Sequence, residues 1–469
     1  MSRLGEWGSS LRAAARAHPL FTGLLLAGLV LRIVTFFAYR PALIYFDSTR
    51  YLRRMEDLLP GELSPVGYPF FLRVLPIEWE PAVVPAVQHL FGLAIAVLLY
   101  AVLVRLEVRP AWAAIATAPV LLDGYQLNIE QFVLTEALLE MLIVGGCALL
   151  FWRRPPATVA LVFAGLAFAS AAIVRSNAVL MIGPALIALL FLRPRHVRVA
   201  AFVAAAILPL LAYAAWFESE HGRFGLNGYG GRFLYARVAP IADCSEFDVP
   251  ERERILCPDE PLGERPKIAE FMWSREKSPV FRLEVESERE RTEIAGSFAR
   301  RVIRNQPLDY AEVLVEDLAY GFSPTKSQRD GDPRVSSWQF QEHYPILDHP
   351  TRTRPFNEAA GFGNGRVSEP LAKFLRVWQR FVYTPGPLLA IALLLGLAGV
   401  VAAWRARRSE LAAACLMFTF MALAIYGSAV AVSQFSWRYQ LPLLVFLPPA
   451  GALGLTALTQ RTERRPAGE

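Results

Sequence analysis

The chain has 469 residues, 54% of them hydrophobic and 19% charged, with a formal net charge of +6. So apolar a composition over this length excludes an ordinary soluble domain or a disordered chain and indicates a membrane protein. The basic surplus lies mostly in short connections between apolar runs, which speaks for membrane topology and against nucleic-acid binding.

The basic start runs into an apolar stretch with no A-x-A-like cleavage site, so it reads as an uncleaved first helix. A spanning helix takes about 20 mainly apolar residues, and by that rule the chain holds about ten candidate spans. They lie near residues 19–40, 82–104, 109–124, 128–151, 157–175, 177–193, 197–217, 386–404, 410–433 and 439–459. Arginines cluster on one set of connections: Arg3, Arg12 and Arg16; Arg105 and Arg109; Arg153 and Arg154; Arg193, Arg195 and Arg198; Arg405, Arg407 and Arg408; Arg461, Arg464 and Arg465. The other set comprises 41–81, DGYQLNIE, RSN, 218–385 and QFSWRY. The positive-inside rule then places both termini in the cytoplasm and 218–385 outside it. Scarce lysine beside abundant arginine fits a GC-rich bacterial genome, hence a bacterial inner membrane.

The expected organisation is all-α and polytopic: an N-terminal transmembrane module over 1–217 with a short external segment at 41–81, an α-rich extracytoplasmic loop domain over 218–385, and C-terminal transmembrane helices over 386–469. The loop is rich in acid and proline. Its segments 281–303 and 308–320 have helical apolar spacing, and 371–383 is a basic amphipathic helix suited to a membrane surface. Cys244 and Cys257 can close a short disulfide ring outside the cytoplasm, or stay as two thiols. Cys147 and Cys415 read as small core residues.

No Walker A, H-E-x-x-H, G-x-S-x-G or CxxC pattern is present. The informative residues are ionisable groups at the expected outer ends of spans, which are costly near lipid. Asp47 directly follows the first span. It is a candidate catalytic carboxylate, or simply the N-cap of the helix after it. Glu130, Glu136 and Glu140 belong to LNIEQFVLTEALLEML. Glu136 and Glu140, four apart, share a helix face, and Glu136 is expected roughly 10 Å within the span. They either face a polar cavity or form a structural ion pair. Arg175 and Arg438 run against the positive-inside pattern, and either bind phosphate in bidentate fashion or snorkel to the interface. Carboxylates that accept a proton and arginines that stabilise a departing phosphate suit transfer of a sugar from a lipid phosphate.

At these residues the sequence resembles the GT-C superfamily of membrane glycosyltransferases, most closely the branch of protein O-mannosyltransferases and lipid A aminoarabinose transferases. Asp47-Ser48-Thr49-Arg50-Tyr51 is similar to that branch's Asp-Glu followed by Arg-Tyr, with Ser48 in place of the second acid. Pro65-Val66-Gly67-Tyr68-Pro69 resembles its P-x-G-Y-P segment. Gln88, Thr135-Glu136 and Arg438-Tyr439 with Pro442 also fit. The likeness covers 20–217 well and the last three spans loosely. It implies a polyprenyl-phosphate sugar donor, an extracytoplasmic acceptor and inversion at the anomeric carbon. In this reading Asp47 is the base, assisted by Glu136 and Glu130. Arg175, Arg438 and Arg50 hold the phosphate, and Tyr51, Tyr68, Gln88 and Tyr439 contact substrate. No metal is obligatory, although some members of the superfamily use a divalent cation. A transporter or flippase for lipid-linked sugars and a non-enzymatic envelope scaffold are the competing readings. The first predicts inverted repeats or broken mid-membrane helices. The second predicts that Asp47, Glu136 and Arg438 are dispensable.

Overall fold

The computed structural model describes residues 13, 15–345 and 351–462. Arg3, Arg12, Arg464 and Arg465 and the side chain of Arg461, which contribute to the charge pattern, lie outside the described residues. The described chain is almost entirely helical. Its N-terminal part runs α1 (Pro19–Ala38), β1 (Tyr39–Arg40), α2 (Phe46–Asp57), α3 (Gly67–Val74), α4 (Val83–Arg105), α5 (Pro110–Leu122), α6 (Gly124–Gln131), α7 (Glu136–Phe151), α8 (Thr158–Val174), α9 (Ile182–Leu192) and α10 (His196–His221). The central part holds α11 (Gly230–Val238), α12 (Ile268–Trp273), α13 (Glu288–Asn305), α14 (Pro307–Tyr320), α15 (Arg354–Ala359), β2 (Arg366–Val367) and α16 (Glu369–Phe381). The chain ends with α17 (Gly386–Arg405), α18 (Ser409–Val432) and α19 (Leu441–Thr462).

Among the described residues, six helices are long and apolar enough to cross a membrane: α1, α4, α10, α17, α18 and the segment Trp437–Gln460 that contains most of α19. Leu26, Val30, Ile33 and Phe37 of α1 and Leu388, Ile391 and Leu394 of α17 point outward. An exposed face so uniformly apolar is stable against lipid rather than water. The other four expected spans are shorter. Helices α5, α7 and α8 have 13, 16 and 17 residues, and α9 has 11 after a six-residue 3-10 turn, Ser176–Met181. At about 1.5 Å per residue none matches the roughly 30 Å hydrocarbon core.

The expected span 128–151 is not one helix. It breaks at Phe132–Thr135, between α6 and α7. The backbone groups that would carry the helix onward are taken by other partners. Leu43 N–H donates to Gln131 O (3.0 Å) and Val133 N–H donates to Leu43 O (3.0 Å). Gln88 Nε2 donates to Glu130 O (2.8 Å) and to Phe132 O (2.6 Å). The β-branched Val133 and Thr135 also disfavour helical continuation there.

The 218–385 region has two parts. Residues 235–302 build a core of their own around Tyr235, Phe271 and Phe298, and the Cys244–Cys257 disulfide closes its edge with Cα atoms 6.2 Å apart. Helices α11 and α13 approach closely through Gly231 and Gly296. A Cβ on Gly231 would strike the Thr292 carbonyl. The later part instead joins the main core through Val335, Trp338, Phe340, Phe362 and Leu375. Antiparallel pairing of Tyr39 with Val367 ties it to the end of α1. The amphipathic helix, α16, buries Ala372, Leu375 and Gln379 and exposes Phe374, Val377 and Phe381. Its Trp378 Nε1 donates to Leu122 O at 2.9 Å.

Candidate active site

The site begins at the first turn of α2. Ser48 Oγ accepts the Tyr45 N–H at 2.9 Å, satisfying a donor at the helix start. Asp47 is therefore not the N-cap; that position is Tyr45, and Asp47 is the second residue of the helix, in its first turn. Its carboxylate is held at both oxygens, Oδ1 by Arg50 Nη2 (2.9 Å) and Oδ2 by Arg438 Nη2 (2.9 Å). Arg438 continues the chain of charges, with Nε 3.2 Å from Glu136 Oε1. Arg175 Nη1 lies 2.9 Å from the same oxygen. The order is Arg50, Asp47, Arg438, Glu136, Arg175. Three guanidinium groups against two carboxylates leave a net charge of +1. Burial acts to raise the Asp47 pKa, but Arg50 and Arg438 overcome it and hold the carboxyl at about 2.

The break before α7 decides where Glu136 lies. It is the first residue of α7, not a group deep in a continuous span, and the helix N-terminus favours its negative charge. Arg175 ends α8, and Arg438 lies in the 3-10 turn Trp437–Gln440 that leads into α19. Three chain breaks thus converge and present charged side chains at one place.

Glu136, Glu140, Arg175, Asn177, Arg438 and Tyr439 line a cleft of about 20 Å³, room for about one water. Arg438 Nη1 is buried there without a hydrogen-bond partner, as are Glu140 Oε1 and Asn177 Oδ1. Rings of Tyr45, Trp338 and Tyr439 surround the Arg438 guanidinium at 5.6, 5.5 and 5.6 Å, and Arg175 lies over Tyr439 at 5.2 Å. The aromatic faces favour the cations and shield them from water.

Not every expected site residue meets the others here. Glu130 is fully buried in a separate cluster. Its Oε1 and Oε2 accept from Arg32 Nη2 (2.7 Å) and Nε (2.9 Å), and His89 Nδ1 lies 2.9 Å from Oε2. Arg32 also donates to the Gly28, Val120 and Leu121 carbonyls. With both oxygens committed inside the bundle, Glu130 ties α1, α4 and α6 together. Gln88 is likewise occupied by the α6–α7 break, and Tyr68 Oη donates to its Oε1 at 2.8 Å. Tyr51 packs edge-on against Tyr68, ring centres 5.0 Å apart. Gln88, Tyr68 and Tyr51 thus support the floor of the site, while Tyr439 lines it.

Several participants carry weak sequence signals. Arg32 has one, a lone arginine inside an apolar run. Gln126 links the two clusters, its Nε2 donating to Glu130 Oε1 (3.2 Å) and Glu140 Oε2 (2.9 Å). Trp338 covers the site from a distant part of the chain and nothing local marks it. Lys326 lies against the Tyr125 and Trp437 rings at 4.7 and 4.8 Å. Burial draws its ammonium down to about 8, with Asp123 opposing.

Among the described residues no group of three or more His, Cys, Asp or Glu is arranged to hold a metal ion. Comparison of the chain with protein-family models, curated proteins and solved structures finds no match.

Proposed function

We propose that the protein is a GT-C-like membrane glycosyltransferase, moving a sugar from a polyprenyl-phosphate donor to an extracytoplasmic acceptor. In this reading the four shorter apolar segments join the six long helices in a bacterial inner membrane, with both termini cytoplasmic. The observation that carries the proposal is the alternating charge chain with a surplus positive charge and a buried guanidinium N–H of Arg438 left open. Buried unpaired donors are costly, and an anionic phosphodiester is a ligand whose oxygen would accept from this one.

The cleft holds only about one water. A donor phosphate enters by competing with Asp47 and Glu136 for the same N–H groups. Each bond it takes from Arg438 or Arg50 is one that Asp47 loses, so donor binding raises the basicity of a carboxylate that is a poor base while doubly paired. Asp47 then accepts the proton of the acceptor hydroxyl as that oxygen bonds to the anomeric carbon. The bond from that carbon to the phosphate oxygen breaks, and Arg438 and Arg175 offset the charge that develops. The test is transfer from a polyprenyl-phosphate sugar in reconstituted vesicles. Wild type is expected to form product and Asp47→Asn to lose it; full activity in the variant removes Asp47 as the base.

A further inference from the structure

A second, larger cleft of about 630 Å³ lies in the central region, lined by Tyr229, Trp273, Phe281, Arg232, Arg275 and Glu288. That volume is in the range of small-ligand sites, about 300–1,000 Å³. Its construction is specific. Arg232 is 4% exposed and its guanidinium is stacked at 4.4 Å from the Phe281 ring centre, 5.2 Å from Tyr229 and 5.8 Å from Trp273. Nη2 and Nε donate to the Met272 carbonyl at 2.6 and 3.2 Å, and Nη1 lies 3.5 Å from Glu288. The guanidinium is thus fixed as part of the wall. Trp273 is 51% exposed, and Arg275 is exposed at the rim.

The cleft is linked to the charge chain through the backbone and one side-chain bond. Asn227 Nδ2 bonds to Ser176 Oγ at 2.5 Å, and Ser176 stands between Arg175 and Asn177 of the charged cleft. Tyr229 follows Asn227 by two residues, a reach of at most about 7 Å. Gly228 N–H is fixed to the Glu62 carbonyl at 2.6 Å. One short segment therefore ties Tyr229, which lines this cleft, to Ser176, the chain neighbour of two residues that line the charged one.

We infer that this cleft is an acceptor site for an acidic glycan; as an acceptor site it rests on the transferase reading above. The C–H face of a sugar ring packs on aromatic rings, and its hydroxyls and carboxylates bond to arginine. The walls are aromatic and charged, and no aliphatic side chain lines the cleft among the described residues. That chemistry suits a charged saccharide and not a lipid tail.

The experiment is calorimetric titration of the full-length protein in nanodiscs with tetragalacturonate and with neutral cellotetraose. Wild type is expected to bind the acidic probe at least tenfold more tightly than the neutral one. Trp273→Ala and Arg275→Ala each weaken the acidic probe tenfold or more, while Trp273→Phe binds as wild type. Wild type that ignores the acidic probe or binds both probes alike overturns the inference, as does undiminished binding by Trp273→Ala. If binding behaves as expected while no form of the protein transfers sugar from the lipid donor, the glycan site stands and the transferase reading fails.

Discussion

Asp47 and Arg438 come from opposite ends of the chain and meet at 2.9 Å through Oδ2 and Nη2. Arg438 also reaches Glu136, so one guanidinium joins the segment after α1, the start of α7 and the turn before α19. Its loss leaves Asp47 with Arg50 alone and Glu136 with Arg175 alone. Arg438→Ala is expected to cost about 3–5 kcal/mol, the effect of removing one partner of a buried charge pair, read as a lower midpoint of thermal unfolding in nanodiscs. Arg438→Lys keeps the charge but cannot bridge both acids. It is expected to fold while the apparent KM for the lipid donor rises at least tenfold.

The pairing of Asp47 also sets a dependence of stability on pH. Burial pushes its pKa up, and Arg50 and Arg438 bring it down to about 2, below the ordinary 3.8. A carboxyl with a depressed folded-state pKa stabilises the fold above about pH 4, and the contribution is lost as pH falls toward 2. Its size is on the order of 2 kcal/mol. Wild type is expected to unfold at a higher temperature than Asp47→Asn at pH 6, with the gap narrowed by roughly half at pH 3. A gap unchanged between those two pH values counts against the ion pairs.

Asp47 and Glu130 are expected to separate by phenotype. Asp47→Asn should lower transfer by about 10²–10⁴-fold while the protein still folds. Glu130→Gln removes the charge that neutralises buried Arg32 and should destabilise by about 3–5 kcal/mol, with a matching loss of folded protein. Normal folding with abolished transfer in Glu130→Gln would return that residue to the catalytic machinery.

Gly92 tests the same buried pair from another side. A Cβ at Gly92 would meet Glu130 Oε1 and Arg32 Nη2, whereas one at Gly145 meets nothing within 4 Å. Gly92→Ala is expected to lower the unfolding midpoint by an amount equivalent to several kcal/mol. Gly145→Ala in α7 should leave it unchanged or raise it by about 0.5–1 kcal/mol.

The disulfide acts on one part of the central region. Cys244 and Cys257 are 13 residues apart, and a ring of about that size contributes roughly 3 kcal/mol. Cys244→Ser with Cys257→Ser should speed hydrogen exchange across 235–302 and leave α18 protected. Equal acceleration in both would mean that the two cores unfold together.

The helical, strongly apolar character of the chain was legible because hydropathy is local. So was the need of Asp47, Glu136, Arg175 and Arg438 for partners, since charges beside apolar runs are costly alone. Their assembly into one chain was less visible. The break at Phe132–Thr135 depends on Leu43 and Gln88, neither of which is near it in sequence, so Glu136 read as a mid-span residue. The same blindness to tertiary hydrogen bonds put Glu130 among the reacting groups and Gln88 among the substrate contacts. Trp338 and Tyr45 pack at 4.7 Å with nothing in either local sequence to predict it.

The separation of the two charge clusters has a consequence for biogenesis. Arg32, His89 and Glu130 all lie in the first third of the chain, so their mutual neutralisation needs nothing that is synthesised later. The Asp47 cluster needs Arg438, and the strand that meets Tyr39 supplies Val367. A nascent protein can thus hold its buried arginine safely for most of its synthesis while its other acids still lack their shared cation. Arg438 leads into the last helix among the described residues, so the charge chain closes late in synthesis, and until then Asp47 and Glu136 have only Arg50 and Arg175.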